Sequence, residues 1–270
     1  IFFYNLGFVE ANSRVSFSRP GDMIRIPSVN HSISRNLLSI NFSYELLSIN
    51  NHQGNSNFSI NSISKSGYQY GVSFVKPENP TNSSELGFHF QTNMLVYGNI
   101  VVDMGIHDII WKPGTDSTSG LDTRDVSFFA VLSSEKEIED YIISTHFGLG
   151  TGKIVQYSQL NQSNPEQMIG TFLGFQFITP ILKKYGGVSL LTEFDGKGLN
   201  VGLRIPVQKL YQINLGITHF DNFGNFASED KTGTDYAPLR GDDPAITLAL
   251  TINFPRIYSS NSGRNISAYS

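Results

Sequence analysis

Val188-Ser189-Leu190-Leu191-Thr192-Glu193-Phe194, then Asp195-Gly196-Lys197-Gly198, then Leu199-Asn200-Val201-Gly202-Leu203-Arg204-Ile205, is the stretch that decides the fold. Val188, Leu190, Thr192 and Phe194 alternate with Ser189, Leu191, Glu193 and Asp195. Leu199, Val201, Leu203 and Ile205 alternate with Asn200, Gly202 and Arg204. A third run, Tyr211, Ile213, Leu215 and Ile217, alternates with Gln212, Asn214, Gly216 and Thr218. A period of two means strands with one apolar and one polar face. The glycines of Asp195-Gly196-Lys197-Gly198 suit a tight hairpin turn. The polar face carries Glu193, Asp195 and Arg204 amid Gly, Asn and Gln. In a soluble sandwich the apolar face would point to a core; in a membrane barrel it points to lipid.

The same alternation runs from Asn36 to Phe254. Leu38, Ile40, Phe42 and Tyr44 oppose Ser39, Asn41, Ser43 and Glu45. Leu86, Phe88 and Phe90 oppose Gly87, His89 and Gln91. Ile100, Val102, Met104 and Ile106 oppose Asp103, Gly105 and His107. Val126, Phe128, Ala130 and Leu132 oppose a face that is only partly polar. Ile143, Thr145, Phe147 and Leu149 oppose Ser144, His146 and Gly148. In all, about 12 strands of about 8–12 residues are predicted, an even number long enough to cross a bilayer when tilted.

Connection lengths sort the two candidate folds. Long connections (50–56, 76–84, 112–124, 151–167, 221–243) alternate with short or intermediate ones; only 195–198 breaks the rule by being short. A barrel with one periplasmic and one extracellular rim produces this pattern, and a sandwich does not. The predicted fold is therefore all-β: one antiparallel up-and-down transmembrane barrel with short periplasmic turns and long extracellular loops. Residues 1–30 read as an irregular segment at the periplasmic rim or inside the barrel, 31–255 as the barrel, and 256–270 as a flexible tail. Ser134-Glu135-Lys136-Glu137 resembles a helix capping box before Ile138, and Asn164-Pro165-Glu166-Gln167 a helical turn. Tyr68, Tyr97, Trp111, Tyr185, Tyr211, Phe220 and Phe254 are candidates for interfacial aromatic girdles.

Composition bounds the chemistry. The 270 residues carry a net charge of −4, which disfavours a nucleic-acid partner. Cysteine is absent, so there is neither a disulfide framework nor a thiolate metal site. The chain opens at Ile1 without Met or a charged leader, as a trimmed mature form would. Gly148-Leu149-Gly150-Thr151-Gly152-Lys153 fails the spacing of a phosphate loop. His89 and His107 with Asp103 nearby sketch a metal pair, but lumen histidines in a hydrogen-bonded interior explain them, and His146, more simply. Glu193 and Asp195 are a possible acid–base pair; with Arg204 they equally make a lumen salt-bridge network. No Gly-x-Ser-x-Gly elbow or HExxH motif occurs, and no cofactor is expected.

Three stretches carry a family resemblance. Glu193-Phe194-Asp195-Gly196 with Asn200-Val201-Gly202-Leu203-Arg204 resembles the acidic-aromatic-Asp-Gly…Asn-x-Gly hairpin of the YjbH-like family of exopolysaccharide-associated outer-membrane barrels. Gly21-Asp22-Met23-Ile24-Arg25-Ile26-Pro27-Ser28 is similar to that family's N-terminal segment, and Phe147-Gly148-Leu149-Gly150-Thr151-Gly152-Lys153 to one of its strand ends. The resemblance covers about 20 residues well and roughly 30 more weakly. It implies an outer-membrane location and a role in polysaccharide export, with periplasmic export proteins as partners. It supplies no catalytic residues.

The expectation is thus a non-enzymatic outer-membrane barrel of a Gram-negative-type bacterium, embedded in outer-membrane lipid, acting in export or surface assembly of exopolysaccharide or as a channel or scaffold. Its lumen-facing polar candidates are His89, Asp103, His107, His146, Glu193, Asp195, Asn200 and Arg204. The competing readings are a soluble periplasmic β-sandwich that binds glycans or proteins, and an outer-membrane enzyme using lumen carboxylates.

Overall fold

The structure is a computed structural model that describes residues 15–29, 37–48, 53–64, 66–77, 84–113, 120–122, 126–155, 169–226 and 244–255. Its strands are β1 (Leu37–Ser48), β2 (Gln53–Ile63), β3 (Gln69–Pro77), β4 (Glu85–Tyr97), β5 (Ile100–Lys112), β6 (Gly120–Asp122) and β7 (Ser127–Ile138). They continue with β8 (Tyr141–Gly150), β9 (Gly170–Ile178), β10 (Ser189–Phe194), β11 (Leu199–Pro206), β12 (Tyr211–Thr218) and β13 (Ala245–Pro255). All pair antiparallel in one sheet, and β1 closes on β13 from Leu37↔Pro255 to Leu46↔Ile246. Twelve strands make the closed barrel; the three-residue β6 only extends the edge of β5. Closure leaves no unpaired sheet edge, which lets strands cross a bilayer. The two-sheet sandwich is therefore corrected: there is one sheet, and its apolar face turns outward.

The alternation sets that orientation. In β3, Gln69, Gly71, Ser73 and Val75 point inward, while Tyr70, Val72 and Phe74 point out. The outward apolar side chains stay exposed right round the barrel, as with Phe42 at 49%, Phe128 at 55% and Leu248 at 56%. A one-residue slip would reverse every face, so register is tightly specified. Among the described residues no helix is long and apolar enough to cross a membrane.

Connections at one end span 64–68, 98–99, 139–140, 179–188 and 207–210; those at the other include the long 113–126, 151–169 and 219–244. β1 begins and β13 ends at the short-connection end. Of the aromatic candidates, Tyr68, Tyr97, Tyr211 and Phe254 are exposed near that end, Trp111 and Phe220 near the other. Tyr185 instead faces the mouth of the barrel.

Two local expectations are corrected. Ser134–Ile138 is strand, not helix. It pairs with β8 down to Ile138↔Tyr141, and the chain reverses at Glu139, whose φ is 57°, and Asp140. Ladder bonds with β8 outweigh a weak capping signal. The second departure is a bulge in the β4–β5 pairing. Register jumps from Phe88↔Ile109 to Phe90↔Ile106, so His89 faces two residues, His107 and Asp108. Asp108 adopts φ 60°, and both residues point inward. An extra residue at a bulge shifts the phase of the strand beyond it, which brings Lys112 inward and sends Trp111 outward. The expected turn at Asn164–Gln167 and the tail 256–270 lie outside the described residues.

Candidate functional site: the lumen and its plug

The apolar core lies inside the lumen, where residues 15–29 form a plug. Strict alternation is absent here because the segment forms no ladder with the wall. It folds on itself: Phe17 N–H donates to Ile24 O (2.8 Å), Met23 N–H to Ile26 O (2.9 Å) and Ser28 N–H to Gly21 O (2.8 Å). Val15, Phe17, Met23, Ile24, Ile26 and Val29 are buried, and most of them cluster with inward Val101, Phe129, Val131, Phe172 and Leu191. The partly polar inner face of β7 is thus an apolar wall against which the lumen is packed.

Glycines on the inner face make room for this. A Cβ at Gly174 would stand 2.8 Å from Ile26 Cδ1; at Gly202 it would stand 3.0 Å from Ile24 Cδ1; at Gly216, 3.0 Å from Phe17 Cε2. The glycine column of β9, β11 and β12 is a cradle for the plug.

Polar contacts hold it there. Glu193, 1% exposed, accepts the N–H groups of Ile24 (2.9 Å) and Arg25 (2.7 Å), with Ile26 N–H at 3.4 Å. Arg204 Nη2 donates to the carbonyls of Asp22 and Met23, both at 2.8 Å. Arg19 makes a bidentate pair with Asp108 (2.7 and 2.9 Å), and Arg25 Nη2 pairs with Glu45 at 2.6 Å. Burying these charges is tolerable because Arg19 and Arg25 are paired with carboxylates and Glu193 and Arg204 are hydrogen-bonded to the plug backbone.

The opening hairpin explains itself as an anchor. Asn200 Nδ2 donates to Glu193 Oε1 (2.9 Å) and Asp195 Oδ2 (3.1 Å), while its Oδ1 accepts His219 N–H (2.8 Å). Asp195 Oδ1 takes the N–H groups of Lys197 and Gly198, closing the turn. Two of the three stretches that carry the family resemblance therefore meet: the hairpin grips the N-terminal segment. In the third, Gly148 leaves space for the Phe172 ring and Gly150 for Ile154.

Of the predicted lumen residues, Glu193, Asp195 and Asn200 form this one network, and Arg204 reaches the plug from four residues further along β11. The others are buried elsewhere on the wall. Asp103 accepts from Gln91 Nε2 at 2.8 Å, and Gln91 also donates to Ser28 O of the plug. His146 Nδ1 lies 2.6 Å from Ser133 Oγ. His89 and His107 are neighbours, their rings edge-on at 5.3 Å. Both His89 nitrogens are engaged, Nδ1 by Asp108 N–H (3.2 Å) and Nε2 by Ser73 Oγ (2.8 Å). The carboxylate beside His89 is Asp108, at 3.9 Å, rather than Asp103. Among the described residues no group of three or more His, Asp or Glu is placed to hold a metal ion.

Sequence reasoning missed Glu45, Asp108, Arg19 and Arg25. Glu45 ends a polar face that alternation does place inward. Asp108 had a signal: Ile106-His107-Asp108-Ile109-Ile110 puts two polar residues side by side, the mark of a phase break. The arginines had none, since nothing local says that 15–29 enters the lumen.

A closed antiparallel barrel with an apolar exterior and a polar, plugged lumen is a transmembrane β-barrel. No protein-family model matches the chain, and no curated protein matches it in sequence. Among solved structures it is similar to the KdgM porin, with TM-score 0.47 and 10% identity over 80% of this chain and 99% of that one. It is also similar to the NanC porin, with TM-score 0.46 and 8% identity over 82% of this chain and 100% of that one. The KdgM porin has also been solved in complex with disordered oligogalacturonate.

Proposed function

We propose that this protein is a non-enzymatic outer-membrane β-barrel of a Gram-negative-type bacterium. Its lumen is a solute pathway held shut by its own N-terminal segment. The observation that carries the reading is the plug itself: residues 15–29 fill a closed, polar-walled lumen and are tied there by the Arg19–Asp108 and Arg25–Glu45 pairs and by Glu193. In this reading Glu193 and Asp195 serve as anchors rather than as an acid–base pair. The short-connection end faces the periplasm. The purpose of the pathway, export or surface assembly of exopolysaccharide together with periplasmic export proteins, rests on the YjbH-like resemblance.

The test has two stages. Protein extracted from membranes with detergent should migrate faster unboiled than boiled on an SDS gel, because a closed barrel resists SDS. In planar bilayers the wild type should show little current. Arg19→Glu combined with Arg25→Glu sets like charges against Asp108 and Glu45 and should expel the plug, giving steady open currents. Those currents should favour cations, since the vacated wall presents Glu45, Asp108 and Glu193. Protein that dissolves without detergent and shows no gel shift would sink the membrane reading. A gel-shifting double variant that never conducts would reduce the barrel to a scaffold.

A further inference from the structure

Between the plug and the wall a cavity of about 330 Å³ opens at the short-connection end. Its volume sits near the lower end of the roughly 300–1,000 Å³ typical of small-ligand sites. Its lining is unlike the usual apolar pocket. One wall is a chain of amides and hydroxyls: Gln212 Nε2 donates to Asn214 Oδ1 (2.5 Å), Asn214 Nδ2 to Thr251 Oγ1 (2.9 Å), and Thr251 Oγ1 to Asn41 Oδ1 (3.1 Å). These links fix where the remaining donors and acceptors point.

The adjoining wall, on β2 and β3, is buried yet unsatisfied. Gln69 is 0% exposed, and neither its Oε1 nor its Nε2 has a hydrogen-bond partner; Asn61 Oδ1 beside it on β2 has none either. Buried amide atoms without partners are costly and uncommon, so such a group lining a cavity calls for an occupant. Gln69 is held close to the plug, its Oε1 lying 3.1 Å from where a Cβ on Gly21 would stand. Charge on the lining is balanced, Arg19 and Arg204 against Asp22 and Glu135. Tyr185 supplies an aromatic face at the rim.

We infer that this vestibule is a binding site for an uncharged, hydroxyl-rich ligand of mono- or disaccharide size, with Gln69 and Asn61 as its principal hydrogen-bonding groups. Many hydroxyls that both donate and accept match an array of fixed amides. A balanced wall gives no net preference for an ionised ligand. The site deepens the reading above, on which it rests for its purpose: a solute would be captured at the near mouth while the plug is in place.

Saturation-transfer NMR on the full-length protein in detergent micelles tests it, with cellobiose as the neutral probe and digalacturonate as the acidic one. Saturable transfer to the cellobiose ring protons is expected, and weaker or no transfer to digalacturonate. Gln69→Leu should weaken cellobiose binding about tenfold, through the loss of two hydrogen bonds. Gln212→Leu, on the more exposed wall, should weaken it less and serves as the reading variant if Gln69→Leu loses the unboiled gel form. The absence of saturable transfer overturns the site. So does transfer that neither substitution changes, and tighter binding of digalacturonate overturns the ligand class. No current is needed for any of this. Cellobiose binding by a barrel that never conducts would sink the channel reading and leave the site standing.

Discussion

The plug is held on two sides of the lumen by two kinds of chemistry. On the β10–β11 side the wall contacts backbone: Glu193 accepts the N–H groups of Ile24 and Arg25, and Arg204 donates to the carbonyls of Asp22 and Met23. At Asp108 and Glu45 the wall contacts side chains, through the guanidinium groups of Arg19 and Arg25. The backbone clamp fixes the shape of the turn whatever residues occupy it. The ion pairs fix which residues sit where, and they alone can be reversed in sign. On the proposed function, the clamp governs how stably the plug is folded, and the pairs govern whether it stays.

That division of labour breaks if Glu193 can be removed at little cost. Glu193→Ala strips the acceptor from two short, buried N–H bonds and from Asn200. With about 1–3 kcal/mol for each buried donor left unmade, the expected loss is about 4 kcal/mol in urea unfolding in detergent. Glu193→Gln keeps one acceptor oxygen and should cost about half as much. Equal effects of the two would mean that charge, not hydrogen bonding to backbone, matters at this position.

A smaller change sharpens the other side. Arg19→Lys keeps the charge facing Asp108 but cannot make the fork of two bonds at 2.7 and 2.9 Å. A loss of about 2 kcal/mol is expected, with the plug still seated and the wild-type current unchanged. Current from Arg19→Lys alone would show that bond geometry, and not charge alone, keeps the lumen closed. Smaller again is Gly202→Ala, whose new Cβ would press on Ile24 Cδ1 at 3.0 Å and Leu215 O at 3.1 Å. The isoleucine end can shift, so the expected cost is about 1 kcal/mol.

Alternation in the sequence records inside against outside, so the barrel strands, the hairpin at Asp195–Gly198, and the inward placement of Glu193 and Asn200 are all legible. It does not record what fills the inside. Leu191 and Phe129 break the polar pattern of the inner face, and Gly174, Gly202 and Gly216 read as weak strand positions. Only with the plug in place do the first become packing surface and the second clearance. Residues 15–29 carry no period of their own because the wall, not a ladder, holds their shape. Asp108 falls out of phase for a different reason: a bulge adds one residue, and strict alternation cannot count it. At Ser134–Ile138 a local capping signal loses to pairing with β8, joined at Ser134 by β5, which no local reading can weigh.

The smallest effect is expected at the rim, where charge is paired without burial. Lys183 Nζ lies 2.6 Å from Asp140 Oδ1, joining the β7–β8 and β9–β10 turns, but the two side chains are 67% and 62% exposed. The hydrogen bond and charge of Asp140 hold the Lys183 ammonium above the usual lysine range. A raised lysine value means that any stabilisation is present below the unfolded-state value and is lost as pH rises through the folded one. Neutral solution is therefore where the pair is fully formed, and there water screens it. Asp140→Asn should leave the urea midpoint at neutral pH unchanged within error, and should leave the current silent. In the proposed reading, the same kind of charge pair, moved from rim to lumen, decides whether the plug stays. A midpoint shift in Asp140→Asn as large as that of Arg19→Lys would mean that burial is not what gives the lumen pairs their weight.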